Sequence, residues 1–448
     1  MHKPDTSRIR IERWLSKTFR WLVPGIGIKR WLILILAGIT LLALGVAVLV
    51  IDWYRTTSNL FWLNVFSILS LRFLDRTLRA IIFGGLGFIL ISLGILGLNR
   101  SILKPFIKPG EPILDSIAAY RRKDKGPRIV AIGGGTGLST LLRGLKGLTH
   151  NLTALVTVSD DGGSSGELRK SLGILPPGDI RACLAALSDD EELMTHIFQY
   201  RFGESAGING HSLGNLFISA LSDITGSFEE AVAESGRVLA VRGKVLPVTL
   251  NDVKLVAEII PTNHNKAIKV IGESQITKAG GKINKIWLEP GNPLPFPPAI
   301  QSILAADLII VGPGSLYTSI LPNLLVPDLA DALGSSRALK FYICNVANQH
   351  GETDGYGGLD HIQAIEKHLK HQHFDVIVCN NDFSATLPSG VEWVKADTEL
   401  EEQYSVYYAS LADKENPWRH DSQLLAQTIL DLFHERTGPL VGKQSVKE

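Results

Sequence analysis

From residue 128 onward the chain alternates short apolar runs with segments of helical spacing. Ile129–Ile132, Leu152–Val158, Leu304–Val311, Leu339–Asn345 and Phe374–Asn380 each end in a glycine-, serine- or asparagine-rich turn. After the first run, apolar positions fall at Leu138, Leu141, Leu142 and Leu145, which is one face of a helix. Strand runs separated by helix-length segments predict a mostly parallel sheet covered on both faces, the α/β doubly wound, Rossmann-like class. Residues Gly236–Trp287 break this rhythm. Val238–Val241, Val245–Leu250 and Ile268–Ile271 have β character between polar turns, and they predict a small inserted antiparallel β-rich unit. No internal repeat or low-complexity tract interrupts the pattern.

The first 128 residues follow a different logic. Trp31–Ile51 and Ala80–Asn99 carry no charge, and each is long enough to cross about 30 Å of hydrocarbon as a helix. Thirty residues precede the first run, which argues against a signal peptide. Residues 1–30 hold eight Lys+Arg, residues 100–128 eight, and residues 52–79 four. The positive-inside rule then puts both ends in the cytoplasm. The expected organisation is a basic cytoplasmic segment 1–30, a transmembrane hairpin 31–99 with two helices spanning about 31–51 and 80–99, and a basic linker 100–127. A body 128–440 and a tail 441–448 follow. The expected localisation is multi-pass in the inner (plasma) membrane, with lipid contacts through the hairpin and the C-terminal domain cytoplasmic.

Composition narrows the body. Three cysteines, Cys183, Cys344 and Cys379, are widely spaced with no CxxC, which argues against a disulfide framework or a structural zinc site. The net charge of +1 conceals +13 over residues 1–128 and −12 over the rest. An acidic body does not attract nucleic acid, so none is expected as a partner.

Chemistry concentrates at the predicted strand ends. The order strand, Gly133-Gly134-Gly135-Thr136-Gly137, helix presents backbone N–H groups at a helix N-terminus, where a phosphate binds well. The same order with glycine as mere α/β punctuation is the competing reading. Ser159–Gly166 sets Asp160 and Asp161 beside Ser164 and Ser165, suited to a ribose hydroxyl, to a divalent metal near phosphates, or to capping the next helix. In Gly210-His211-Ser212-Leu213-Gly214-Asn215, His211 is an acid, base or phosphate donor and Asn215 a ligand contact, unless Ser212 or Asn215 simply caps the helix. No Ser/His/Asp nucleophile pattern surrounds it. Gly312-Pro313-Gly314-Ser315 repeats the cradle logic with Ser and Thr hydroxyls, and Arg419-His420-Asp421 adds a cation, or a surface ion pair.

Taken in order, VAIGGGTGLSTLLRGLK, TVSDDGGSSGELR with PPGDIR, GHSLGNL, GPGSLYTSI and GETDGY resemble the CofD/YvcK family over nearly all of residues 128–440. Within it the chain is similar to the YvcK branch, often called gluconeogenesis factors. The resemblance implies binding of UDP-N-acetylglucosamine or another nucleotide diphosphate, and control of carbon metabolism, cell-envelope synthesis and cell shape, with no assigned reaction. A homodimer and envelope-synthesis proteins are the partners it implies. It puts Gly134, Gly135, Thr136 and Gly137 at the diphosphate, Asp160, Asp161, Ser164 and Ser165 on the same rim, and Asn215, Gly314, Ser315 and Arg419 at further pocket positions. The CofD branch implies the alternative, a phospholactyl or phosphoryl-type transferase with Asp160 and Asp161 holding magnesium. The chain departs from the family where Ala347-Asn348 replaces a Met-Thr pair, and it lacks a matching tyrosine between Asn380 and Val394.

Overall fold

The computed structural model describes residues 70–103, 126–189, 191–203, 210–261, 266–369 and 374–438, with isolated positions between 39 and 68. The chain divides into two compact units, residues 1–110 and 111–448.

In the first unit a helix spans Arg76–Leu103. Here the membrane expectation is corrected. Among the described residues no helix is long and apolar enough to cross a membrane. The 31–51 run lies mostly outside the described residues. The two preceding transmembrane helices are therefore unsupported, and the multi-pass inner-membrane localisation is overturned.

In the second unit the expected parallel sheet is present with seven strands. They are β1 (Ile129–Gly133), β2 (Leu152–Val156), β3 (Lys244–Pro247), β7 (Leu308–Val311), β8 (Leu339–Ile343), β9 (Val376–Asn380) and β10 (Val406–Ala409). Their spatial order is β10-β9-β8-β7-β1-β2-β3, and every neighbouring pair is parallel. β1, β7 and β9 are buried at every position, as continuous Val/Ile/Leu runs require when helices cover both faces. From β1 the chain winds outward through β2 and β3, and from β7 it winds the opposite way through β8 to β10. Right-handed crossovers running in opposite directions put their helices on opposite faces. The reversal falls between β1 and β7, the switch point where such sheets bind ligands beyond their carboxyl ends.

The insertion is a second, antiparallel sheet of β4 (Lys254–Ile260), β5 (Ile268–Ile271) and β6 (Lys282–Glu289), in the order β5-β4-β6. Its boundaries differ from those read off the sequence. Val238 ends the helix Phe228–Val238, and Val245 belongs to β3 of the main sheet. In β6 Ile283, Ile286 and Leu288 are buried, and the three-residue step from Ile283 to Ile286 falls where the ladder with β4 shifts register between Glu258 and Ile259, as at a β-bulge.

Candidate functional site

At the switch point the two glycine turns close on each other. β1 runs into the helix Gly135–Leu145 through Gly134, whose extended backbone makes no side-chain cap. Gly135 has φ +58, a left-handed conformation that glycine adopts without steric cost. Gly137 sits against the turn after β7, where an added Cβ would meet the carbonyl oxygen of Pro313 and come within 2.8 Å of Gly314 Cα. That second turn contains a cis Gly312–Pro313 bond and leads into a π-helical turn, Leu316–Ile320. Asn323 ties the two together, donating from Nδ2 to the Gly133 carbonyl at 3.0 Å and to the Ser319 carbonyl at 2.6 Å. Asn323→Ala should lower stability by roughly 1–3 kcal/mol, because two buried carbonyls each lose a hydrogen bond and the tie between the turns is cut. Thermal melts beside the wild type check this.

The turns border a cleft of about 550 Å³ that Gly134, Gly135, Thr136, Gly137, Gly314, Ser315 and Arg419 all line. Seven of the twelve residues singled out in the sequence thus share one wall system. Asp160, Asp161, Ser164, Ser165 and Asn215 form a second group that does not line this cleft. Asp160 accepts the Gly162 N–H at 2.8 Å, and Asp161 accepts the Ser274 N–H at 2.9 Å, tying the turn to the insertion. Ser164 Oγ lies 3.0 Å from His211 Nδ1 and accepts from Asn215 Nδ2 at 3.0 Å. Ser212 caps the helix Leu213–Thr225 by accepting the Asn215 N–H. This group braces the rim rather than facing the cleft.

Two of the cradle N–H groups are already occupied by the protein's own side chains. Gly135 N–H donates to the Asp179 carboxyl. Gly314 N–H donates to Asn345 Oδ1 at 3.2 Å, and Asn345 Nδ2 returns a bond to the Gly314 carbonyl at 2.9 Å. Ser315 Oγ donates to Gln349. The first-turn N–H groups of Thr136 and Gly137 have no acceptor within an α-helix and point outward from its N-terminus. Those, with Arg419, are what the cleft offers an anion.

Beside them stands an acidic wall that sequence reasoning missed. Asp179 and Glu273 line the cleft, and Glu352 lies just behind Ser315 and Thr318. Burial, reinforced by Asp160, pushes the Asp179 carboxyl up to about 7. Burial and then the charges of Asp160, Asp179, Glu352 and Asp161 push Glu273 up to about 9. Burial pushes Glu352 up to about 7, against hydrogen bonds from Thr318, Thr277 and backbone N–H groups. Asp160 is raised as well, chiefly by burial. Among the described residues no group of three or more His, Cys, Asp or Glu is arranged to hold a metal ion. Asp160 and Asp161 each give Oδ1 to a backbone N–H and keep the second carboxylate oxygen. On the far side His420, buried at the cleft edge, is held down to about 4 by burial and is neutral.

Such a molecule is a doubly wound α/β protein with a glycine-lined cleft at its switch point. The family model described as 2-phospho-L-lactate transferase CofD matches residues 129–425. A Nostoc sp. relative is 46% identical over 452 residues, covering 95% of each chain. The Bacillus subtilis protein named "Gluconeogenesis factor" is 46% identical over 318 residues, covering 69% of this chain and 99% of its own. A crystal structure of a UPF0052-family protein from Bacillus halodurans is 42% identical, covers 68% of this chain and 99% of its own, and superposes with a TM-score of 0.62. The chain belongs to the CofD family.

Proposed function

We propose that the cleft binds a UDP-sugar, with UDP-N-acetylglucosamine the first ligand to test. The chain would then be a regulator of gluconeogenesis-factor type that couples carbon metabolism to cell-envelope synthesis and cell shape. The observation that carries the reading is the meeting of the two glycine turns at the switch point with Arg419 on the same cleft. The cleft's roughly 550 Å³ falls within the range of small-molecule sites and suits a nucleotide sugar. Relatives bearing the gluconeogenesis-factor name, and membership of a family described as 2-phospho-L-lactate transferase CofD, support it. A homodimer and envelope-synthesis partners belong to the same proposal.

Isothermal titration of the full chain with UDP-N-acetylglucosamine tests it. Saturable binding is expected, weakened about 10- to 100-fold in Arg419→Ala, the usual loss for a charge-assisted contact to a phosphate. Absence of heat with folded protein overturns the reading. Equal affinity for UDP, GDP and the sugar nucleotide removes the sugar specificity.

One observation favours a second reading, a CofD-like group transfer. Asp179 and Glu273 line the cleft with carboxyls raised toward or above neutrality, which suits general acid–base work. Incubation with a nucleotide diphosphate donor and acceptors, followed by mass spectrometry, separates the two. Turnover that Asp179→Asn abolishes supports the enzyme.

A further inference from the structure

Among the described residues that line the cleft, Trp418 alone is a phenylalanine, tyrosine or tryptophan, and it stands next to Arg419. It is 38% exposed, although its ring carries a large apolar area. Its backbone is well fixed. Asn416-Pro417-Trp418-Arg419 is a β-turn closed by the Arg419 N–H, which donates to the Asn416 carbonyl at 2.9 Å. Proline at the second position presets the backbone of such a turn. An antiparallel bridge between Ala412 and His420 forms the stem. The Asp413 N–H donates to the Arg419 carbonyl at 2.9 Å, and the Asp421 N–H to the Leu411 carbonyl at 2.8 Å.

The side chain, by contrast, is uncommitted. Three other aromatic residues of the second unit are comparably exposed, and each has a partner. Tyr200 packs edge-on against Phe202, Phe383 meets Trp393 and carries Lys395 over its ring, and Tyr408 donates to Glu401. Among the described residues Trp418 meets no other ring, no cation and no acceptor for its indole N–H. The rest of the wall suits other parts of a ligand. The glycine turns and Arg419 suit phosphates, and the carboxyls of Asp179 and Glu273 suit hydroxyl groups. Asn345 and Gln349 have amides able to read a base edge, but both ends of each are spent on Gly314, Ser315 and Glu352. A free aromatic face therefore stands beside a phosphate cradle, and every nucleobase has a face to stack on it.

We infer that Trp418 is the stacking platform for the nucleobase of the cleft's ligand, with Arg419 and the glycine turns taking the diphosphate. This rests on the nucleotide half of the proposed function and not on the sugar. The braced turn holds the ring in place before binding, so little ordering opposes the stack.

The test is calorimetric titration of the full chain with UDP-N-acetylglucosamine, UDP, ADP, GDP and inorganic pyrophosphate. In Trp418→Ala every nucleotide that the wild type binds should weaken about tenfold or more, and Trp418→Phe should recover most of the loss. Pyrophosphate has no base, so Trp418→Ala should leave its binding unchanged while Arg419→Ala weakens it. Nucleotide affinities unaltered in a folded Trp418→Ala overturn the inference and leave the proposed function standing. Equal weakening of pyrophosphate overturns it too, because the change then reaches the cradle. A loss seen with UDP-N-acetylglucosamine but not with UDP puts the ring under the sugar and overturns it as well. Trp418-dependent binding of ADP or GDP by a protein that ignores UDP and its sugars sinks the proposed function and leaves the platform. No saturable binding of any nucleotide by the wild type removes both.

Discussion

Gly137→Ala is expected to cost at least tenfold in ligand affinity and to lower the melting temperature, although alanine is the better helix former. Gly137 lies in the first turn of the helix Gly135–Leu145, where exchanging glycine for alanine ordinarily gains about 1 kcal/mol. Here the new Cβ meets the Pro313 carbonyl and Gly314 Cα, which are backbone atoms with no side-chain freedom to yield. Overpacking of this kind costs about 1–3 kcal/mol and reverses the sign. Relief comes only by separating the two turns, and that separation spoils the N–H array of Thr136 and Gly137. Gly147→Ala is the control, since its nearest neighbour is the Gly144 carbonyl at 3.4 Å and little needs to move. Melting curves and titrations of both variants decide the matter. A Gly137→Ala protein as stable and as tight-binding as the wild type rules out the closed pair of turns.

The glycine turns were legible because their signals are local. An apolar run, glycines and a helical period lie within twenty residues of one another, and parallel-sheet geometry does the rest. Asp179 carried no such mark. It follows Gly178 in a helix first turn, where an aspartate is ordinary, and it reaches Gly135 only because two helices pack together. Asn345 likewise reads as a strand-end turn residue, yet its side chain grips the peptide of Gly314, 31 residues away. Asp161 shows the same. Its company of glycines and serines says nothing of the Ser274 N–H in the insertion, 113 residues away, from which Asp161 accepts a hydrogen bond. Strand limits were misread where a helix ran directly into a strand. Leu304 and Ala305 continue the apolar run of β7 in the sequence but close the helix Pro297–Ala305. Apolar periodicity is silent on such a junction, because both elements bury the same residue types.

The acidic wall leads to the second large effect, in Asp179→Asn. A carboxyl whose folded pKa is raised keeps a proton that the unfolded chain has already released, so its contribution to stability is complete below about 4 and is lost as pH rises through its folded value. For Asp179 and Glu352 that loss runs from the usual carboxylate range to about 7, and for Glu273 it continues to about 9. Asparagine keeps an oxygen for the Gly135 N–H and carries no charge at any pH. The variant should therefore be more stable than the wild type at pH 8 and no more stable at pH 5. A shift of three pKa units corresponds to about 4 kcal/mol as an upper bound, and sharing of charge among coupled acids reduces it to roughly 2 kcal/mol, or a few degrees in melting temperature. Binding should follow the same proton. An ionised Asp179 repels a diphosphate that approaches the glycine turn, so wild-type affinity should fall between pH 6 and pH 8, and Asp179→Asn should fall less, keeping only the share that Glu352 contributes. Parallel pH profiles that coincide for the two proteins, in both melting and titration, remove Asp179 from the site's electrostatics. Divergence above pH 7 identifies it as the group that makes the cradle responsive to protons.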